Sequence, residues 1–400
     1  MSTLSITLGD RRVGTVVRLP DDRITFAFDP AYSNDPDRPT LSLGFKTAQG
    51  GLATPRITHT KLAPYFTNLL PEGALRTYLA ARVGTKPVRD FPLLAALGSD
   101  LPGNVRAIPS GSGPLSEELV QPSASTDRLL KFSLAGVQLK FSALESVAGG
   151  LSIPATGEGG NWIIKLPSPT FPQVPTHELV MLELARAIGI PVPETRLVSI
   201  DGIEGLPTDI PWQERQALAV RRFDRQEGQR IHTEDFAQVF GRYPDDKYTG
   251  ASSENIARVL LAERGVEEVL DLVTRLVFTV LIGNGDMHLK NWSLIYRDGR
   301  TATLSPAYDY ISTIIYMTDD TLGLSIGGSK VMQEIGLDHF AKFADRVGVP
   351  SRAVSDRVHD TVTDFKMAWR NLGNYLAQLP AGHVDTMERY FASLALWRVG

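Results

Sequence analysis

The chain contains no cysteine. Disulfides, thiolate nucleophiles and cysteine-held zinc or iron–sulfur centres are therefore excluded. It also has no long apolar run. The longest, around Leu276–Ile282, falls far short of the roughly 18 residues of a spanning helix, so no membrane association is expected. The N-terminus, Met1-Ser-Thr-Leu-Ser-Ile-Thr-Leu-Gly-Asp10, lacks the basic segment and apolar core of a signal peptide, and a cytoplasmic location is the expectation. Basic charge is not in excess either: 41 Lys and Arg stand against 45 Asp and Glu, a net charge of −4. Binding bare nucleic acid needs a surplus of cations at the contact surface, so DNA contact is expected only through a more basic partner.

What is present is long enough for two or three full cores. Residues 1–108 carry the β-prone runs Leu4–Leu8, Gly14–Leu19 and Ile24–Phe28, then the helical stretches Leu75–Val83 and Phe91–Leu97. Residues 109–127, rich in Gly, Ser and Pro, read as a linker. Residues 128–225 read as a sheet-rich unit. In it Val137, Leu139, Phe141 and Ala143 alternate with polar residues, Asn161–Leu166 and Ala217–Phe223 are further strands, and Thr176–Ile188 is a helix capped by Thr176. Residues 226–400 read as mainly helical, with a buried helix from Val266 to Ile282 ending at Gly283.

The strongest local signal is Ile282-Gly-Asn-Gly-Asp-Met-His-Leu-Lys-Asn-Trp292. Asp286 and Asn291 stand five positions apart between a helix and a strand, the spacing of base and metal ligand in a kinase catalytic loop. The chemistry needs one carboxylate to orient a hydroxyl and one amide oxygen to hold Mg²⁺. A second carboxylate should share the metal, and Asp309 supplies it. Trp292–Tyr296 and Thr301–Ser305 flank Asp298-Gly299, which predicts a hairpin with a two-residue turn, Trp292 opposite Ser305, and Asp309 near the level of Asn291. Singly, each residue reads as a turn former or cap; jointly they point to phosphoryl transfer. His288 either contacts phosphate or holds the loop. Lys290 either approaches the phosphates or is a surface charge.

The nucleotide side carries weaker signals. Lys165, ending the apolar strand Trp162–Leu166, is either a strand-end charge or a phosphate-holding lysine. The latter needs an acidic partner on the following helix. Glu178 shares a stripe with Met181, Leu182 and Ala185, whereas Glu183 has Arg186 at i+3, so Glu178 is the choice. Phe132–Lys140 is either a phosphate-covering loop or a hairpin turn. Arg221-Arg-Phe-Asp224 is placed to be a hinge reading adenine, with Asp224 near the ribose, or is a charged strand end.

Taken together these residues resemble the HipA family of serine/threonine kinases, the toxin halves of bacterial type II toxin–antitoxin pairs. The resemblance rests on Tyr65-Phe-Thr-Asn-Leu-Leu-Pro-Glu-Gly73, Leu97–Gly103, Ser133-Leu-Ala-Gly-Val-Gln-Leu-Lys140, Ile163–Pro167, Arg222–Arg225, His232–Phe236, Asp286–Asn291 and Tyr308-Asp309. It implies an α+β, kinase-like bilobal fold, an antiparallel-sheet lobe plus a helical lobe, with an extra N-terminal α/β module. It implies Asp286 as catalytic base and Asn291 and Asp309 as Mg²⁺ ligands. ATP would meet Ala135, Gly136, Val137, Gln138, Lys140, Lys165, Arg221, Arg222, Phe223, Asp224, His288 and Lys290. Ser133 would be autophosphorylated. The implied partners are a HipB-like helix-turn-helix antitoxin and a protein target such as an aminoacyl-tRNA synthetase. Leu139, Arg221 and Leu101 depart from frequent family residues. A small-molecule or lipid kinase, or a catalytically silent corepressor, are the competing readings.

Overall fold

A computed structural model describes residues 1–110, 140–145, 150–153, 159–206, 212–317 and 320–399. Ser133, Ala135, Gly136, Val137 and Gln138 lie outside the described residues. The β-branched and aromatic residues of the first hundred form an antiparallel sheet. Its strands β1 (Ser2–Leu8), β2 (Arg11–Arg18), β3 (Arg23–Phe28), β4 (Thr58–His59) and β5 (Val105–Pro109) run in the order β4-β3-β2-β1-β5. Alternate residues Leu4, Ile6, Val16, Ile24 and Phe26 bury against Phe66, Phe91 and Leu94. Helices Gly73–Val83 and Asp90–Leu97 complete this unit.

A second sheet holds β6 (Lys140–Glu145), β7 (Leu151–Ser152), β8 (Trp162–Lys165), β9 (Thr195–Ser199), β10 (Ile203–Glu204) and β11 (Gln216–Arg221) in the order β10-β7-β6-β8-β11-β9. Its register puts Lys140 directly opposite Lys165. Like charges facing each other across strands repel, so this pair calls for an anion between them. The helix after β8 runs Val174–Ala187 and begins two residues before the expected start. Pro175 presets the first-turn φ, Gln173 precedes it with φ 59°, and Thr176 is buried within the helix rather than capping it.

The rest is mainly helical, packed around Val266–Leu281, whose Leu272, Val273, Val280 and Leu281 are fully buried. Two short strands, β12 (Arg225–Gln226) and β13 (Gln229–Arg230), lead into a three-stranded sheet of β14 (His232–Asp235), β15 (Ser293–Tyr296) and β16 (Thr303–Leu304). The β15–β16 hairpin pairs Leu294 with Leu304, not Ser305 with Trp292, a slip of one position from the expected register. The cause is local. The Asp298 side chain accepts from the backbone N–H of Arg300 (2.8 Å) and Thr301 (2.7 Å), which widens the turn beyond two residues.

The N-terminal unit packs directly on this small sheet. Glu234 is buried, and its carboxyl accepts from Leu43 N–H at 2.9 Å and from the Tyr296 hydroxyl. Burial pushes its pKa up to about 7. Between its ordinary value of 4.5 and about 7 the folded state therefore holds more proton than the unfolded one, and stability falls as pH rises. Glu234→Gln is expected to flatten that decline. Urea unfolding of both proteins at pH 5 and pH 8 measures it, and parallel losses in the two would contradict the assignment.

Candidate active site

Helix 266–281 ends at Ile282, and Gly283 follows with φ 64°. The loop that this turn releases is organised by Asn284, which is fully buried. Its Oδ1 accepts from Asp286 N–H at 3.0 Å, and its Nδ2 donates to Asp309 O at 3.4 Å. One side chain thus fixes the two ends of the site, a role not visible in the sequence, where Gly-Asn-Gly-Asp reads only as turn chemistry. Asn291 is buried and donates its Nδ2 to Asp286 O at 2.8 Å, which aims the amide oxygen the other way. Asp309 sits in left-handed backbone, φ 56°, a conformation that costs a non-glycine residue on the order of 1 kcal/mol and is enriched at functional sites.

Asp309 is the anion that the lysines call for. Its carboxylate pairs with Lys165, and with Lys140 at 3.0 Å. Lys165 also pairs with Glu178. All three partners of this junction (Lys165, Glu178 and Asp309) come from different elements, and Lys165 and Glu178 are almost fully buried. Burial alone would lower the pKa of Lys165, but the Asp309 and Glu178 carboxylates overcome it and raise it. Burial opposes ionisation of Asp309 too, yet the charges of Lys140 and Lys165 hold its carboxyl below the ordinary range. Glu183 instead binds Arg186 on the outer face.

A cavity of about 420 Å³ opens beside this junction, lined by residues from every unit: Leu69 and Pro102, Ile163 and Val220, Phe223 and Tyr308 among them. The Phe223 and Tyr308 rings lie 5.8 Å apart. At the hinge, two amides are already engaged: Arg221 N–H donates to Glu194 O and Arg222 N–H to Asn161 O, both at 2.8 Å. The Arg221 side chain turns outward over the Trp162 ring, 5.6 Å from its centre. Asp224 is buried and clamped. Arg222 grips it through two 2.9 Å contacts, Arg225 Nη1 lies at 2.8 Å, and Gly103 N–H donates to it at 2.8 Å. Burial would raise its pKa, but Arg222 and Arg225 lower it. Asp100 joins the same cluster through Arg225 at 2.9 Å. Asp100, Arg225 and Arg230 were not legible as a cluster, because their pairings span more than a hundred residues.

The remaining candidates surround Asp286. His288 is buried, with Nε2 3.9 Å from Asp286 Oδ1; burial keeps it neutral, with the pKa pushed down to about 4. Lys290 lines the cavity, but its Nζ is held by Glu72 at 2.8 Å and Asn68 Oδ1 at 3.0 Å. Tyr248, which the sequence reading passed over, donates its hydroxyl to Asp286 Oδ1.

Both parts of the chain match known domain families. Residues 132–369 match the model of the HipA-like C-terminal domain, and residues 4–108 match the HipA N-terminal domain. The chain belongs to the HipA family. It is 45% identical to Y4dM of Sinorhizobium fredii, which carries a kinase name, over 100% of this chain and 98% of that one. It is 25% identical to the serine/threonine-protein kinase toxin HipA of Shewanella oneidensis, over 87% of this chain and 84% of the other. The HipA fold extends to a solved structure of the Shewanella oneidensis HipA, HipB and operator DNA complex, with TM-score 0.74, 20% identity and coverage of 99% and 96%. The fold is α+β and kinase-like, and the family makes the chain a HipA-type kinase. Among the described residues no helix is long and apolar enough to cross a membrane.

Proposed function

We propose that the chain is an ATP- and Mg²⁺-dependent serine/threonine protein kinase, a HipA-like toxin that phosphorylates a translation component such as an aminoacyl-tRNA synthetase. The observation that carries the reading is the buried junction of Lys165 with Glu178 and Asp309. It joins the sheet lobe to the chain just beyond the hairpin that Asn291 precedes, and a Lys–Glu pair beside a metal-binding Asp is what a kinase needs for phosphoryl transfer.

The residues present fit the cofactor. One carboxylate and one amide oxygen suit Mg²⁺, which takes one or two protein oxygens and fills its remaining positions with phosphate and water. Among the described residues no group of three or more His, Cys, Asp or Glu gathers to hold a metal alone. Bound Mg²⁺–ATP would supply the phosphoryl group and neutralise its charge. Lys165 and Lys140 would hold phosphate oxygens, with Glu178 keeping Lys165 in place. Asp286 would orient the acceptor hydroxyl and take its proton, while neutral His288 braces the loop. The 420 Å³ cavity would take adenine between hinge and Tyr308, read by backbone groups other than the two engaged amides. Asp224 then serves by fixing the hinge.

A HipB-like antitoxin is the proposed partner and the route to DNA, supported by the composition of the Shewanella complex and by the acidic balance of this chain. Autophosphorylation at Ser133 is the proposed restraint on activity. Incubation with ATP and Mg²⁺, followed by mass spectrometry, tests the reading. Phosphoserine or phosphothreonine is expected, with none when EDTA is present. Equal labelling with EDTA, or label only on a small molecule, would refute it.

A further inference from the structure

The hydroxyl of Tyr248 is a second alcohol-type donor already seated on the carboxylate that the proposed reaction assigns to the acceptor. Asp286 is not among the residues lining the nucleotide cavity. Its side chain is 51% exposed, and it lines a separate cavity of about 580 Å³ together with Tyr248. Phe171, Val174, Tyr316, Met317 and Leu322 form the apolar part of that wall. Phe171 and Met317 keep 36% and 52% of their surface in solvent, which marks a contact surface more than a core.

Tyr248 is held as a stopper would be. Its ring stands edge-on to His288, centres 5.0 Å apart at 81°, and its backbone carbonyl accepts from Lys330 at 3.4 Å. Lys247 beside it reaches Glu72 at 3.4 Å. Yet 40% of the residue is exposed, and its segment, Tyr243-Pro-Asp-Asp-Lys-Tyr-Thr-Gly250, is polar, so swinging it outward uncovers little apolar surface. Burial and the Asp286 charge make the phenol hold its proton more firmly than usual, which keeps it a donor.

We infer that the 580 Å³ cavity is the seat of the phospho-acceptor, and that Tyr248 occupies the acceptor-hydroxyl position until a substrate hydroxyl displaces it. The acceptor is a Ser or Thr of a polypeptide segment with an apolar side chain beside it, which the Phe171–Met317 wall receives. This rests on the reading of Asp286 given above. Tyr248 thereby keeps water out of the acceptor-hydroxyl position on an otherwise solvent-reached Asp286, so that the γ-phosphoryl group is not hydrolysed between substrates.

The test uses the full chain. In Tyr248→Phe the ring still packs on His288, but the seat is open. Water can then enter, its oxygen bonding to the γ-phosphorus as the bond to ADP breaks, with the proton leaving through Asp286 to solvent. ADP release without any acceptor should rise about tenfold, the factor for one charged hydrogen bond, and adding Asp286→Ala should abolish it. Unchanged or slower release beside an active wild type overturns the proposal. A serine peptide with Leu next to the serine should show a lower KM than one with Glu there; equal KM values overturn the assigned acceptor class. The contact itself is read without activity, by ¹⁹F spectra of protein carrying 3-fluorotyrosine, the Tyr248 signal being the one lost in Tyr248→Phe. Asp286→Ala must shift that signal, and an unmoved signal overturns the seat. If the signal shifts but wild type neither transfers phosphate nor releases ADP, the Tyr248–Asp286 contact stands, but the kinase reading fails and the acceptor seat is overturned with it.

Discussion

Asp286→Asn is expected to lower phosphate transfer by about 10²–10⁴-fold, the usual contribution of a positioned base, while leaving ATP binding nearly intact. The argument is one of place. Asp286 lies outside the nucleotide cavity, half exposed, and among the described residues its carboxylate meets Tyr248 and His288 but no lysine. Its backbone N–H is what Asn284 uses to hold the loop, and Asn291 binds its carbonyl, so the substitution leaves both supports in place. Single-turnover transfer and calorimetric ATP binding check the two halves. Near wild-type turnover would remove Asp286 from the chemistry, and lost ATP affinity would make it part of the nucleotide site.

Asp309→Asn is expected to do the reverse, weakening Mg²⁺–ATP binding far more than binding of ATP in EDTA. Asn tolerates the left-handed backbone at φ 56°, so the change isolates the charge. It also leaves Lys140 and Lys165 opposed across the strands without the anion between them. Lys165 keeps Glu178, so the loss of stability should be about 3 kcal/mol, the low end for breaking a buried pair. Nucleotide phosphates can replace the missing anion, and saturating ATP should restore part of the lost thermal stability. Titrations with and without Mg²⁺ decide the matter; equal weakening in both would show that Asp309 holds no metal.

The sequence was most informative where the pattern was periodic or the spacing local. The β-prone runs of the first sheet follow from residue type, and the 266–281 helix and the choice of Glu178 over Glu183 from which face of an element is apolar. The five-residue step from Asp286 to Asn291 lies within one loop and can be read directly. The hairpin register could not be, because it turned on which backbone groups the Asp298 side chain would bind. The start of the 174–187 helix was missed because Thr176 looks like a cap, while Pro175 had already set the first turn. Asp100, Asn284 and Tyr248 were invisible for another reason. Each reaches a partner far off in the chain, Asn284 through its bond to Asp309 as well as a local one to Asp286, and nothing nearby in sequence registers such a distant pairing.

The tip of the catalytic hairpin is tied to the start of the chain. Thr40 N–H donates to Gly299 O at 2.8 Å, the Thr40 hydroxyl donates to Arg300 O at 2.9 Å, and Arg300 meets Asp37 at 2.7 Å. During translation those first residues leave the ribosome long before their partners exist. Contacts so distant in sequence close late, since the intervening loop entropy must be overcome first. The hairpin between Asn291 and Asp309 therefore gains its brace only after Arg300 has been made, and a ribosome stalled earlier releases a fragment without the junction at Lys165. Competence at the proposed site would then arrive only with the hairpin, whatever part of the chain has folded before it.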